Sequence, residues 1–207
     1  MKARLALICA ATALAAVVGT NPAVRSEDKK TYPKQVLLIR HGEQPPEKDP
    51  SPDLSDRGKK RADALPDLFK KSPTRPRPFA TPDFIFATKA TRQDKRAVET
   101  VRPLARSLNM MKINDSYSNS SDGIDKLARE ILSEKIYDRK TVVICWADGG
   151  LLAIGTKLGA WSDPKQGDSP DRAEDSFDQV WILNYDDKGK VVFASRPQQL
   201  LPGDADK

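Results

Sequence analysis

The stretch Val36-Leu37-Leu38-Ile39-Arg40-His41-Gly42-Glu43 decides how the rest of the chain is read. Four consecutive apolar residues bounded by polar ones suit a short central strand covered on both faces. The run stops at Arg40-His41-Gly42-Glu43. Pro45, Pro46, Pro50 and Pro52 then forbid regular structure, so residues 44–52 form a loop. His41 is the only histidine. A lone histidine is commonly a surface or hydrogen-bonded residue, but the C-terminal edge of a central strand is where open α/β sheets hold their ligands. There Arg40 has the fork to grip an oxyanion, Gly42 lets backbone approach closely, and His41 is a candidate nucleophile.

Working outward, Ser55 or Asp56 caps an expected helix toward Phe69, kinked or divided by Pro66. Phe84–Ala87 reads as a second strand. A helix from about Asp94 to Ser107 comes next, with Pro103 inside it. Met111–Ile113 is expected as a short strand and 123–133 as a helix. Thr141–Cys145 is the strongest later strand, and an apolar helix near 151–158 succeeds it. Residues 162–176 read as a polar loop, and 180–185 with 191–193 as a terminal hairpin. Strands separated by helices predict a three-layer α/β/α sandwich around a mixed, mainly parallel sheet.

Three pieces of sequence, in order, carry a resemblance: Leu38-Ile39-Arg40-His41-Gly42-Glu43, then Leu54-Ser55-Asp56-Arg57-Gly58 with Ala62, then Arg96-Ala97-Val98-Glu99-Thr100. Together they resemble the histidine phosphatase superfamily, also called phosphoglycerate-mutase-like, over most of residues 35–195. The resemblance implies that His41 attacks phosphorus and forms a phosphohistidine, with Arg40 and Arg96 clamping the phosphoryl oxygens. Arg92 competes with Arg96 for the second clamp, because residues 88–95 look lengthened. Gly58 fits the family's close approach of this helix to the active loop, or is simply an early-helix packing glycine. Glu43 either orients Arg40 or another basic group, or takes part in proton transfer.

One departure stands out. After the Thr141–Cys145 strand the family supplies a second histidine just before a glycine, whereas this chain has Trp146-Ala147-Asp148-Gly149-Gly150. An imidazole donates to phosphate oxygen; an ionised carboxylate cannot, and its charge opposes a dianion. Three accounts stay open: a weaker phosphatase with Asp148 protonated or turned away, a phosphatase with Asp148 as proton donor, or a degenerate binder of a phosphorylated or acidic ligand. The expected partner is a small phosphorylated molecule. No cofactor and no metal is expected, since one histidine and scattered carboxylates lack ligand spacing. A P-loop motif is absent, and no Ser-His-Asp arrangement is visible.

The N-terminus carries a second message. Lys2 and Arg4 precede an almost unbroken apolar run, Leu5–Val18, which breaks at Gly19–Ala23. Residues 1–23 therefore read as a secretory signal peptide, 24–34 as a polar leader, and 35–207 as a single domain of an exported, periplasmic or extracellular protein. Of the two cysteines, Cys9 leaves with the signal and Cys145 reads as a buried strand residue, so the mature chain has no internal disulfide. With 38% hydrophobic and 31% charged residues, disorder, collagen-like structure and a coiled coil are poorly supported. Losing Lys2 and Arg4 lowers the formal net charge from +6 to +4. The basic stretch from Arg57 to Arg77 is interrupted by acids and has no aromatic ladder, which argues against nucleic acid as a partner. No membrane attachment is expected once the signal is cleaved.

Overall fold

A computed structural model of the protein describes residues 31–161 and 176–205. The expected signal peptide, the first part of the leader and nearly all of the expected 162–176 loop lie outside the described residues. Five strands form one mixed sheet in the order β2-β3-β1-β4-β5. The parallel part comprises β1 (Gln35–Arg40), β2 (Phe84–Ala87) and β3 (Thr141–Trp146), with β3 between the other two. Next to β1 on its other side, β4 (Gln179–Tyr185) runs antiparallel and turns back into β5 (Val191–Pro197).

Side-chain alternation along these strands builds two cores, one on each face. Leu37, Ile39, Ile85, Ala87, Val143, Cys145, Val180 and Ile182 point to one face. They meet Leu65 and Leu68 of the first helical segment and Ala97, Val101 and Leu104 of α2 (Arg96–Ser107). Val36, Leu38, Phe86, Val142, Ile144, Trp146, Trp181 and Leu183 point the other way. They meet α3 (Ser121–Ser133) and α4 (Leu151–Lys157) through residues such as Leu127, Ile131 and Ile154. Strands that are apolar on both faces are what a sheet sandwiched between helices requires. The three-layer architecture read from the sequence is the architecture observed.

Local sequence explains most of the boundaries. The Ser55 hydroxyl accepts the Gly58 N–H and starts α1 (Asp56–Ala64), and Pro66 tightens the next residues, Leu65–Phe69, into a 3₁₀ helix. Ser120 caps α3 in the same way through the Gly123 N–H. Two expectations are corrected. The second helix starts at Arg96 rather than Asp94, because the Asp94 carboxylate stays outside it and accepts the Arg96 N–H. Met111–Ile113 is no strand: Asn114 alone bridges to Phe86, and Met111 is fully exposed. Three residues without a cross-strand partner cannot sustain a ladder.

Candidate functional site

Strand register assembles the site. Arg40, the last residue of β1, pairs with Trp146, the last residue of β3, and Ala87 at the end of β2 pairs with Cys145. The loops leaving three parallel neighbours therefore emerge side by side at one sheet edge. The first carries His41, the second leads to Asp94 and Arg96, and the third carries Asp148. The His41 N–H donates to the Trp146 carbonyl (3.1 Å), the Ala147 N–H to Thr88 Oγ1 (2.8 Å) and the Gly42 N–H to Thr100 Oγ1 (2.8 Å). These bonds lock the three loops to one another.

Close packing fixes the first loop from below. A Cβ added at Gly58 would lie 2.3 Å from the Glu43 carbonyl oxygen, so only glycine lets α1 come this near the loop. At the far side, Gly149 holds φ at +72° in open space, the left-handed turn that carries the chain from Asp148 into α4. The Asn119 amide donates to the Asp148 carbonyl (3.0 Å) while its oxygen accepts the Trp146 indole N–H (2.8 Å). Trp146 itself is wholly buried, a packing residue rather than part of an opening.

His41 is completely buried. Its Nδ1 lies 2.7 Å from the Gly42 carbonyl, which can only accept. In a neutral ring the proton therefore sits on Nδ1 and the lone pair on Nε2. Nε2 lies 3.0 Å from Asp148 Oδ1, but off the direction of a good hydrogen bond, and no aligned partner satisfies it. The same oxygen accepts from Arg40 Nε at 2.6 Å. Burial alone would raise the Asp148 pKa, but Arg40 and, when its ring is protonated, His41 overrule it and hold the carboxyl well below the usual carboxylate range. The Asp148 side chain thus faces Arg40 and His41 rather than turning away.

Arg96 stands on the first turn of α2. Asp94 grips it through two oxygens (2.9 and 3.0 Å), the Gln44 side chain takes another of its donors, and the Asp148 charge also favours its charged form. The Asp94 pairing is the main reason its pKa rises. Arg92 is exposed in the loop before α2. The Glu43 carboxylate pairs with Arg61 (2.7 and 3.0 Å) and Arg57 (2.9 Å), which outweigh its burial and lower its pKa. Burial pushes the Cys145 thiol pKa up, so it is no nucleophile at neutral pH. Beside the cradle, a cavity of about 140 Å³ is lined by Thr88, Lys89, Thr91, Asp94, Ser118 and Asn119, among others. Among the described residues no group of metal-ligating side chains comes together.

Sequence reading missed Phe177. Its ring lies 4.1 Å beneath the Arg40 guanidinium and 5.9 Å from the His41 ring. The residue borders a stretch without periodicity, and nothing local marks it as a neighbour of β1. Asp94 and Gln44, which aim Arg96, were equally silent.

No protein-family model matches the chain, and no curated protein matches it. Among solved structures it is similar to a phosphoglycerate mutase from Plasmodium falciparum, with 17% identity over 84% of this chain and 96% of that one and a TM-score of 0.49. A mycobacterial glucosyl-3-phosphoglycerate phosphatase matches at 12% identity over 79% of this chain and 97% of that one, with a TM-score of 0.48. The protein histidine phosphatase SixA, complexed with tungstate, matches at 13% identity over 79% and 97%, with a TM-score of 0.44.

Proposed function

We propose that the chain is a histidine-phosphatase-like phosphomonoesterase acting on a small phosphate ester, with His41 as the nucleophile. One observation carries this reading: an anionic oxygen, that of Asp148, already rests between Arg40 Nε and His41 Nε2 at 2.6 and 3.0 Å. A phosphoryl oxygen placed there would meet the same cation and put phosphorus against the Nε2 lone pair. Arg96, aimed by Asp94 and Gln44, stands ready for a second oxygen. Attack by Nε2 forms the N–P bond as the ester oxygen leaves. Water then hydrolyses the phosphohistidine to inorganic phosphate and frees the ring. The Gly42 carbonyl, accepting the Nδ1–H, stabilises the positive charge that develops on the imidazole. The adjacent 140 Å³ cavity suits a compact, polar leaving group.

The test is a panel of phosphomonoesters assayed with purified protein. His41→Ala should cut turnover by about a thousandfold or more. Activity that survives the substitution unchanged would remove His41 from the reaction.

The Asp148 contact also favours a second reading, a binder that no longer turns over. The carboxylate covers the nucleophile and must be displaced before phosphate can enter. Calorimetry with inorganic phosphate separates the two: binding that needs Arg40 and Arg96, without turnover of any ester, describes the binder. Export remains part of the proposal. Among the described residues no helix is long and apolar enough to cross a membrane.

A further inference from the structure

We propose that the C-terminal tail, residues 198–205, is a positioning element for the Arg40–His41 cradle, and that Asp204 is its anchor. The inference rests on that cradle being the working site. The tail touches both of its flanks.

On one flank, Asp204 accepts from Arg61 through both oxygens (2.7 and 2.8 Å), and Arg61 donates in turn to both oxygens of Glu43. Arg57 bridges the same pair, reaching Glu43 at 2.9 Å, the Pro202 carbonyl at 3.1 Å and Asp204 at 3.2 Å. Glu43 lies two residues from His41, so the tail is wired to the loop that carries the nucleophile. On the other flank, the Gln198 side-chain amide donates to the Phe177 carbonyl (3.1 Å) and the Gln179 carbonyl (3.3 Å). The Ala205 N–H donates to Asp178 Oδ2 at 2.6 Å. These bonds set the height of the Phe177 ring on which the Arg40 guanidinium rests.

Stability alone is a poor explanation for this network. The Arg61 and Asp204 side chains are 2% and 3% exposed, and buried ion pairs of this kind are often matched or bettered by apolar residues of similar size. What two arginines and two carboxylates supply, and apolar residues do not, is a defined geometry. Each carboxylate accepts fixed donors, so the loop, α1 and the tail hold one register. An anion site needs that definition, since a displacement of about 1 Å at a reacting group is enough to lose much of its effect.

Because His41 is the only histidine, its imidazole Cε1–H gives one NMR signal that reports on the cradle without any assay of activity. The experiment reads that signal and the affinity for inorganic phosphate in the full chain, in Asp204→Asn, and in Ile131→Val as a core substitution on the opposite face. Asp204→Asn should weaken phosphate binding by about tenfold and shift the His41 signal of the free protein. Ile131→Val, compared at matched loss of melting temperature, should do neither. A folded Asp204→Asn with the parent affinity and an unmoved His41 signal would overturn the proposal. If Asp204→Asn does not fold, Gln198→Leu decides by the same two readouts, and its failure to fold as well would assign the tail to stability alone. Phosphate binding indifferent to Arg40→Ala would instead sink the reading of the site, and the His41 signal would still judge the tail.

Discussion

At the residue scale, everything turns on one carboxylate. Asp148 lies where the sequence resemblance expects a histidine, and it does what a bound anion would do: it pairs with Arg40 and closes over His41. Held ionised by these contacts, it has no proton to donate at neutral pH. Esters whose leaving groups need protonation should therefore be turned over at least about a hundredfold more slowly than aryl esters that do not. Asp148→Asn removes a like charge from the position an incoming phosphate must take, worth about 1 to 4 kcal/mol, or about five- to several hundredfold in phosphate affinity, between the aqueous and partly buried limits. Asp148→His should raise turnover as well as affinity, because it restores a donor. If both substitutions instead lower turnover, most for poor leaving groups, Asp148 is the proton donor after all. Unchanged rates for both variants on both ester types would place the residue outside the working pocket. Arg40 and His41 could be singled out because they end an apolar strand, whereas Arg96 and Asp148 were singled out only through the resemblance. Phe177, Asp94 and Gln44 were not, because what they do depends on where the chain returns, and no local period encodes that.

Between elements, the same distinction decides what could be read. The strands β1, β2 and β3 announce themselves as short apolar runs, and α2 and α3 by the spacing of Val101, Ala105, Leu127 and Ile131. The run at Met111–Ile113 looks similar but misleads, since three residues with apolar ends say nothing about a neighbour to pair with. The tail is invisible in the sequence: Asp204 meets Arg61 across 143 residues of chain. That contact makes a measurable prediction. Burial would raise the Asp204 pKa, but hydrogen bonds from Arg61 and from the Leu201 and Leu200 N–H groups hold it at about 2, against an ordinary 3.8. A folded pKa below the unfolded one means the ionised form is favoured by folding. The contribution is complete above the unfolded value and disappears as the pH falls through about 2. It amounts to about 2 kcal/mol for Asp204, and the lowered Glu43 adds in the same direction. Urea midpoints taken between pH 5 and pH 2 should fall steeply for the parent protein and less steeply for Asp204→Asn, the two curves converging at the acid end. Parallel curves would show that the pair contributes nothing to folding.

For the molecule as a whole, export is the proposal with the broadest consequences, and the cysteines make it testable. Lys2, Arg4 and the Leu5–Val18 run motivate it, and cleavage after Gly19 or Ala23 removes Cys9 either way. The remaining Cys145 sits in the middle of the sheet with no exposed surface, its thiol pKa pushed up by burial. An oxidising compartment therefore finds no accessible thiol among the described residues: a lone interior thiol can neither close an internal disulfide nor reach a partner. Protein recovered from a secretion-competent host should be lighter by the first 19 to 23 residues. It should run as a single species with and without reductant. A thiol reagent should find essentially no reactive group in the native state and one equivalent after denaturation. Two equivalents together with full-length mass would mean that Cys9 is retained, and export by cleavage would be wrong. One equivalent titrating freely in the native state would mean instead that β3 opens to solvent. The interior packing of Ile144, Cys145 and Trp146, on which the placing of Asp148 depends, would then have to be redrawn.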